Sequence, residues 1–331
     1  MNIDALSDTT VDAVTFAVSI GVSGSSSVAG SFSGAGARAT NTITGVTLAT
    51  IDTGSDVDAP GSITVDALDT SAISSDVVSA SVSVGASSSV ALSFAISVTL
   101  AENTIGGATS ALIANSDADS SAGSVLVTAT GLNTIDAVAV AASASVAGSG
   151  SFALSGAGAG AHASNSTTNQ ISARITNGDV DAPLGSVSVT ASDTSGITAD
   201  VTSAAASVAA SGSAAVSFAI AVTLAENSIG GTTIASIDPS TVDAGGTVTV
   251  SATADNTIDA LAAAIGVSVG GSGSFALSGA GSGASATNTT TNTVEASILD
   301  STVNADGAVL VTATDTSQIT ADNAAVSASV S

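Results

Sequence analysis

The stretch VTLAENTIGG at residues 98–107 returns as VTLAENSIGG at 222–231, with only Thr104 exchanged for Ser228. Ten residues written twice, 124 positions apart, point to a period. From Val11, β-branched anchors follow at Ile73, Ile135, Ile197, Ile258 and Ile319, at spacings of 62, 62, 62, 61 and 61. Thirty residues after each of the first five anchors stands an Asn: Asn41, Asn103, Asn165, Asn227 and Asn288. Forty residues after each stands an Ile: Ile51, Ile113, Ile175, Ile237 and Ile298. A Gly then opens a short alternating run: GSITV, GSVLV, GSVSV, GTVTV, GAVLV. Registration of this kind marks a tandem array of stacked units. The array fills residues 1–331 as one continuous domain, with units 11–72, 73–134, 135–196, 197–257, 258–318 and a partial unit 319–331.

Neighbouring units differ and alternate units agree. SGAGARATN, SGAGAGAHASN and SGAGSGASATN belong to the odd units, FAISVTLAEN and FAIAVTLAEN to the even ones. The repeat is therefore a pair, and the decapeptide returns after two units. Within a unit the period is two. Counted from Ile135, even offsets are Ile, then mostly Ala and Ser, while odd offsets hold Val138, Val140, Val146, Phe152 and Leu154. All six Phe fall on the odd face, which a helix would scatter and a strand explains. Gly/Ser clusters at 24–27, 85–89, 148–151, 211–213 and 271–274 read as bends. Each unit then holds two long strands, a third around the Asn–Ile segment and a short fourth after the Gly, with an Asp-rich turn between the last two. In-register stacking would set the Gly of GAGAG (156–160) against Phe218, Ile220 and Val222, so Gly158→Val is expected to overpack. The fold class is all-β, a solenoid-like rod of alternating units.

Composition narrows the function. Lys is absent, the only permanent cations are Arg38 and Arg174, and 27 acidic residues bring the net charge to −25. Nucleic-acid binding needs clustered cations and is excluded. An acidic exterior repels anionic membranes and suits salty or divalent-rich surroundings. No run reaches the ~18 apolar residues of a spanning helix, and MNIDALSDTT is not a signal peptide. The absence of Cys fits secretion without disulfides. Because the array begins and stops within a unit, it reads as part of a longer array or as a subunit completed by copies of itself.

Little here can do chemistry. Arg38 and His162 share one offset, where other units place Ser285, Leu100 and Leu224, so the position reads as a tolerant exposed one. Glu102 and Glu226 have no cationic partner within their motif and read as structural. The chain is not expected to be an enzyme, and no cofactor is required. The recurrent Asn suits a left-handed corner or a stacked amide ladder. Asn165 and Asn288 also match the glycosylation sequon, but their counterparts do not. The one ligand hypothesis is Ca²⁺ bridging by Asp56, Asp58, Asp117, Asp119, Asp179, Asp181, Asp243 and Asp306, which stacking would bring to ~4.8 Å strand spacing.

The Ala/Val/Ser alternation, the N-x-I segment and the turn followed by G-x-V-x-V-x-A resemble giant bacterial secreted or surface β-strand-repeat proteins, adhesin-like or filamentous-haemagglutinin-like, over residues 9–331. The resemblance implies an extracellular or cell-surface, elongated, non-catalytic protein and carries over no functional residue. The expected function is a stiff fibre, stalk or adhesin shaft whose partners are copies of itself joined end to end, with extracellular glycans or other cells as further partners. The alternatives are a binding module, with Ser/Thr rows such as Thr247, Thr249 and Ser251 recognising ice or a glycan, and an outer-membrane barrel.

Overall fold

Strict alternation of small and large side chains fits only extended backbone, and the computed structural model, which describes residues 1–331, is built from strands alone. The first coil contains β1 (Asn2–Ser7), β2 (Thr10–Ser25), β3 (Val28–Ile51) and β4 (Asp56–Ala59). The same four strands recur in the next four coils, and a partial sixth adds the first two; in the third coil they are Val125–Gly131, Thr134–Ser149, Phe152–Thr176 and Asp179–Ala182. Counterparts stack into four sheets, named here after β1 to β4, with six, six, five and five strands. Neighbours pair in parallel and in register, so Ile135 lies between Ile73 and Ile197, and Asn165 between Asn103 and Asn227. The fold is a β-solenoid. A transmembrane barrel is antiparallel, and every pairing here is parallel.

Two details differ from the expected strand plan. The second and third expected strands are one unbroken strand of 24 or 25 residues. The recurrent Asn therefore sits mid-strand, where its side chain can point inward without ending the alternation. The Asp-rich turn contains a four-residue strand of its own, because D-V-D-A continues the period of two with Val57 or Val180 turned inward. Left-handed corners do occur beside it, at Asn115 (φ 49°) and Asn177 (φ 48°). The chemistry of a left-handed Asn applies, at a different Asn.

The four sheets divide each coil into a thick end and a thin blade. At the thick end the last third of the β3 sheet, the β4 sheet and the β1 sheet enclose a core of Ile and Val, among them Ile63, Val65, Ile113, Val127, Ile175 and Val189. Beyond it the β2 sheet lies directly on the first two thirds of the β3 sheet. A row of Ile (Ile73, Ile135, Ile197 and Ile258 against Ile43, Ile105 and Ile229) and the recurrent Asn lie next to the thick end. From there to the tip only Ala, Ser and a few Val or Thr lie between the sheets. Side chains of one or two heavy atoms let the sheets come close enough for Ser hydroxyls to bond across the gap. The Gly/Ser bends close the blade's outer tip at 26–27, 88–89, 150–151, 212–213 and 273–274.

The small-residue face is therefore the inside, and the Phe/Val/Ile/Leu face is the outside. Phe16 and Phe32 are each 69% exposed and Ile220 58%. The expected acidic exterior belongs to the thick end and its margin, whereas the blade is apolar on both faces. Along the strands a coil spans ~80 Å, while five stacked coils rise only ~24 Å. The described chain is a slab, and it becomes a rod only when many such coils are stacked.

Candidate functional surfaces

Four side-chain arrays follow from the stacking. The first is the Asn ladder. Asn41 Nδ2 donates to Asn103 Oδ1, Asn103 to Asn165, Asn165 to Asn227 and Asn227 to Asn288, at 2.8 to 2.9 Å. Asn103, Asn165 and Asn227 are buried, so the Asn165 sequon faces the interior. Identical amides in register are both donor and acceptor, which satisfies a buried polar row that a single Asn would leave unpaired.

The second array was not anticipated. A hydroxyl chain zigzags between the two blade sheets, Ser31–Ser83–Ser93–Ser145–Ser155–Ser207–Ser217, each step 2.9 Å. Each Ser between the two ends donates once and accepts once, Ser31 only accepts and Ser217 only donates, so the chain ties the two sheets together through paired buried hydroxyls. Its signal was a Ser repeated at one inward offset in each long strand.

The third array lies at the corner between the β1 and β2 sheets. DTS at 69–71, 193–195 and 315–317 belongs to alternate coils, and Asn133 and Asn256 to the coils between. Ser71 N–H donates to Asn133 Oδ1 (3.0 Å) and Ser195 N–H to Asn256 Oδ1 (2.7 Å). Asp193 accepts from Ser195 Oγ at 2.6 Å, and burial pushes its carboxyl above the usual range despite hydrogen bonds from Ser195, Asn256 and Asn169. Its stacking neighbours are Gly131 and Ala254, so no second carboxylate lies beside it. The alternating DTS was the available signal.

The fourth array gathers the carboxylates outside. Asp56, Asp117 and Asp179 form one column, continued by Thr241; Asp58, Asp119, Asp181 and Asp243 form another, continued by Asn304, whose amide donates to Asp243 Oδ1 at 2.6 Å. Asp306 stands outside both columns, one residue past the Ala305 that pairs with Ala244. Asp58, Asp119 and Asp181 line a cleft of 380 Å³ with Pro60 and Pro183. Desolvation, then neighbouring carboxylates, raise Asp119 and Asp181 above the normal carboxylate range. No group of three or more carboxylate or His side chains converges closely enough to hold a metal ion. In-register stacking makes rows, and a row spreads its oxygens along a line.

Glu102 and Glu226 acquire the partners their motif lacks from the adjacent coil. Arg38 Nη2 donates to Glu102 Oε2 at 2.7 Å, and His162 Nε2 lies 3.8 Å from Glu226 Oε2. The hydrogen bond from Arg38 holds Glu102 below the usual range. The shared offset of Arg38 and His162 thus faces the Glu of the next coil, an ion pair at Arg38 and a looser contact at His162, and a register comparison between coils was needed to see it. The expected Ser/Thr rows do not form a uniform surface: Thr249 stacks with Ser188 and Leu310, and Ser188 with Leu126. No helix is long and apolar enough to cross a membrane.

Comparison with known proteins gives no match: no protein family, no curated protein and no solved structure resembles the chain closely enough to serve as a relative.

Proposed function

We propose that the chain is a structural element, a stretch of a parallel β-coil that serves as a stiff spacer in an extracellular or cell-surface fibre, stalk or adhesin shaft. The observation that carries this reading is the unbroken in-register stacking of four sheets along one axis. Of 242 backbone hydrogen bonds, 206 lie within the strands, so most of the cohesion runs along the stack. Three side-chain arrays run the same way. A coil's open strand edges present unpaired N–H and C=O groups, a template for one more coil. Further coils of the same polypeptide or of another copy both satisfy that edge, and head-to-tail contacts that do not close produce filaments. The reading gives the chain a mechanical task and no catalytic one.

Cell fractionation with electron microscopy of the native material tests it. Unbranched fibres or stalks on the cell surface, with a ~4.8 Å axial spacing in fibre diffraction, are the expected result. Compact particles confined to the cell interior would overturn it.

A further inference from the structure

The outer face of the β3 sheet is the one broad surface whose relief, charge and area all describe the same occupant. Its relief is corrugated. Coil two presents Phe94, Ile96 and Val98, and coil four presents Phe218, Ile220 and Val222; between and beside them run Gly34/Gly36, Gly158/Gly160 and Gly281/Gly283. Phe94 and Phe218 lean over Gly156 and Gly279, but nothing lies within 4 Å of a Cβ built at Gly34, Gly36, Gly160, Gly281 or Gly283. At Gly158 only Ile96 Cγ1 is near, at 3.9 Å. The furrows are open outward, and the expected overpacking at Gly158 does not arise. At the depths of Ile96 and Val98 ridges and furrows alternate coil by coil, a period of ~9.6 Å set by two strand spacings. At the depth of Phe94 coil one adds Phe32, stacked on Phe94 with ring centroids 5.5 Å apart.

Charge separates this face from the rest of the molecule. All 24 Asp lie outside the β3 sheet, while all three Glu, both Arg and the one His lie within it. The Asp of the β2 sheet (Asp12, Asp76, Asp136, Asp200, Asp259, Asp322) fringe the other blade face with acid alone. The β3 face is thus close to neutral in a chain of net charge −25. Like copies repel one another through every other surface and least through this one.

We propose that the outer face of the β3 sheet is an interface between two copies of this chain, packed face to face about a two-fold axis that runs along the strands between adjacent coils. Such an axis preserves depth along the strand and reverses the stacking direction. With the axis between coils two and three, Phe94, Ile96 and Val98 of one copy lie over the Gly156, Gly158 and Gly160 furrow of the other. Coil one then opposes coil four, which brings Arg38 within the reach of Glu226 in the second copy. The apolar patch is ~33 Å along the strand by ~19 Å across the four opposed coils, at the low end of the ~600–1,000 Å² per partner of a standard stable interface. At the depth of Phe94, the exposed Phe32 of coil one meets Phe218 of the second copy, an aromatic contact that sets the spacing of the two faces there. This lateral pairing is separate from end-to-end growth, which uses strand edges.

Sedimentation equilibrium of the 331-residue chain and of its Gly158→Val/Gly160→Val double variant tests the inference. Both positions are open, so the variant keeps its circular dichroism and melting temperature, and those are measured alongside. The wild-type chain is expected to form dimers, and filling the furrow is expected to weaken the dimer at least tenfold. Ala142→Val, on the opposite blade face, is expected to leave it unchanged. A chain monomeric at all concentrations overturns the proposal, as does a dimer indifferent to furrow filling, which would place the contact on an edge or on the other face. Flotation with phosphatidylcholine vesicles completes the test: wild type and variant partitioning equally into lipid, with no dimer in its absence, would assign the face to lipid instead.

Discussion

Asn165 donates to Asn227 and accepts from Asn103, so its truncation strands two buried amides at once. Leaving a buried polar group unpaired costs ~1–3 kcal/mol, and Asn165→Ala is expected to lower stability by ~2–5 kcal/mol in a denaturant titration. An unchanged midpoint would mean the ladder contributes nothing. Asp193 makes the opposite prediction about charge. Its folded-state pKa is raised, with burial the main cause, so its favourable contribution is full below the ordinary Asp value and is lost as pH rises through the folded value. Asp66, Asp119 and Asp181 are shifted the same way, and Asp315, held low by hydrogen bonds from Ser317, the other way. Thermal melts should therefore show Asp193→Asn gaining on wild type as pH rises from about 4 to about 7. A loss that is equal at every pH would show that the corner needs the carboxylate itself.

At the scale of the strand, position relative to the coil decides what a glycine does. Gly231 has φ 151°, and a Cβ there would collide with the backbone carbonyl of Asn169, a large inward residue stacked against a glycine. Gly231→Ala is expected to cost ~1–3 kcal/mol, whereas Gly158→Val leaves the melting temperature unchanged. Melting curves of the two variants side by side check both. Strand existence, period and register were readable from the sequence, because small/large alternation and the recurrence of Ile and Asn anchors are local signals. The Gly/Ser bends were readable for the same reason. The fused 24-residue strand was not, since Asn is as much a turn residue as a ladder residue until its neighbour 62 positions away is placed beside it. The pairing of Arg38 with Glu102 likewise depends on the adjacent coil. The Asp columns were legible as columns up to Asp243, but whether stacked carboxylates converge depends on side-chain directions that spacing does not encode, and Asp306 falls out of line by a single residue.

For the whole molecule, the sequence told which two faces exist but not which one is inside. Burying large apolar side chains is ordinarily the stronger drive, at ~25 cal/mol per Å². Here the Ile/Val core of the thick end takes that role, and the blade instead buries Ala and Ser between close sheets and leaves its Phe, Ile and Val outside. Such a blade is stable only if each coil lies squarely on the next, so the in-register stack is the claim on which the rest depends. The chain has no Cys, which makes engineered disulfides a clean measure of register. Thr104 and Ser166 are direct neighbours in the β3 sheet, and parallel neighbours at ~4.8 Å lie within the Cα range a disulfide spans. Oxidising Thr104→Cys/Ser166→Cys should give a nearly complete intramolecular cross-link without loss of β-sheet circular dichroism, while Thr104→Cys/Thr167→Cys, whose second thiol points inward, should give none. Cross-linking of the second pair in place of the first would contradict the register, and with it the coil.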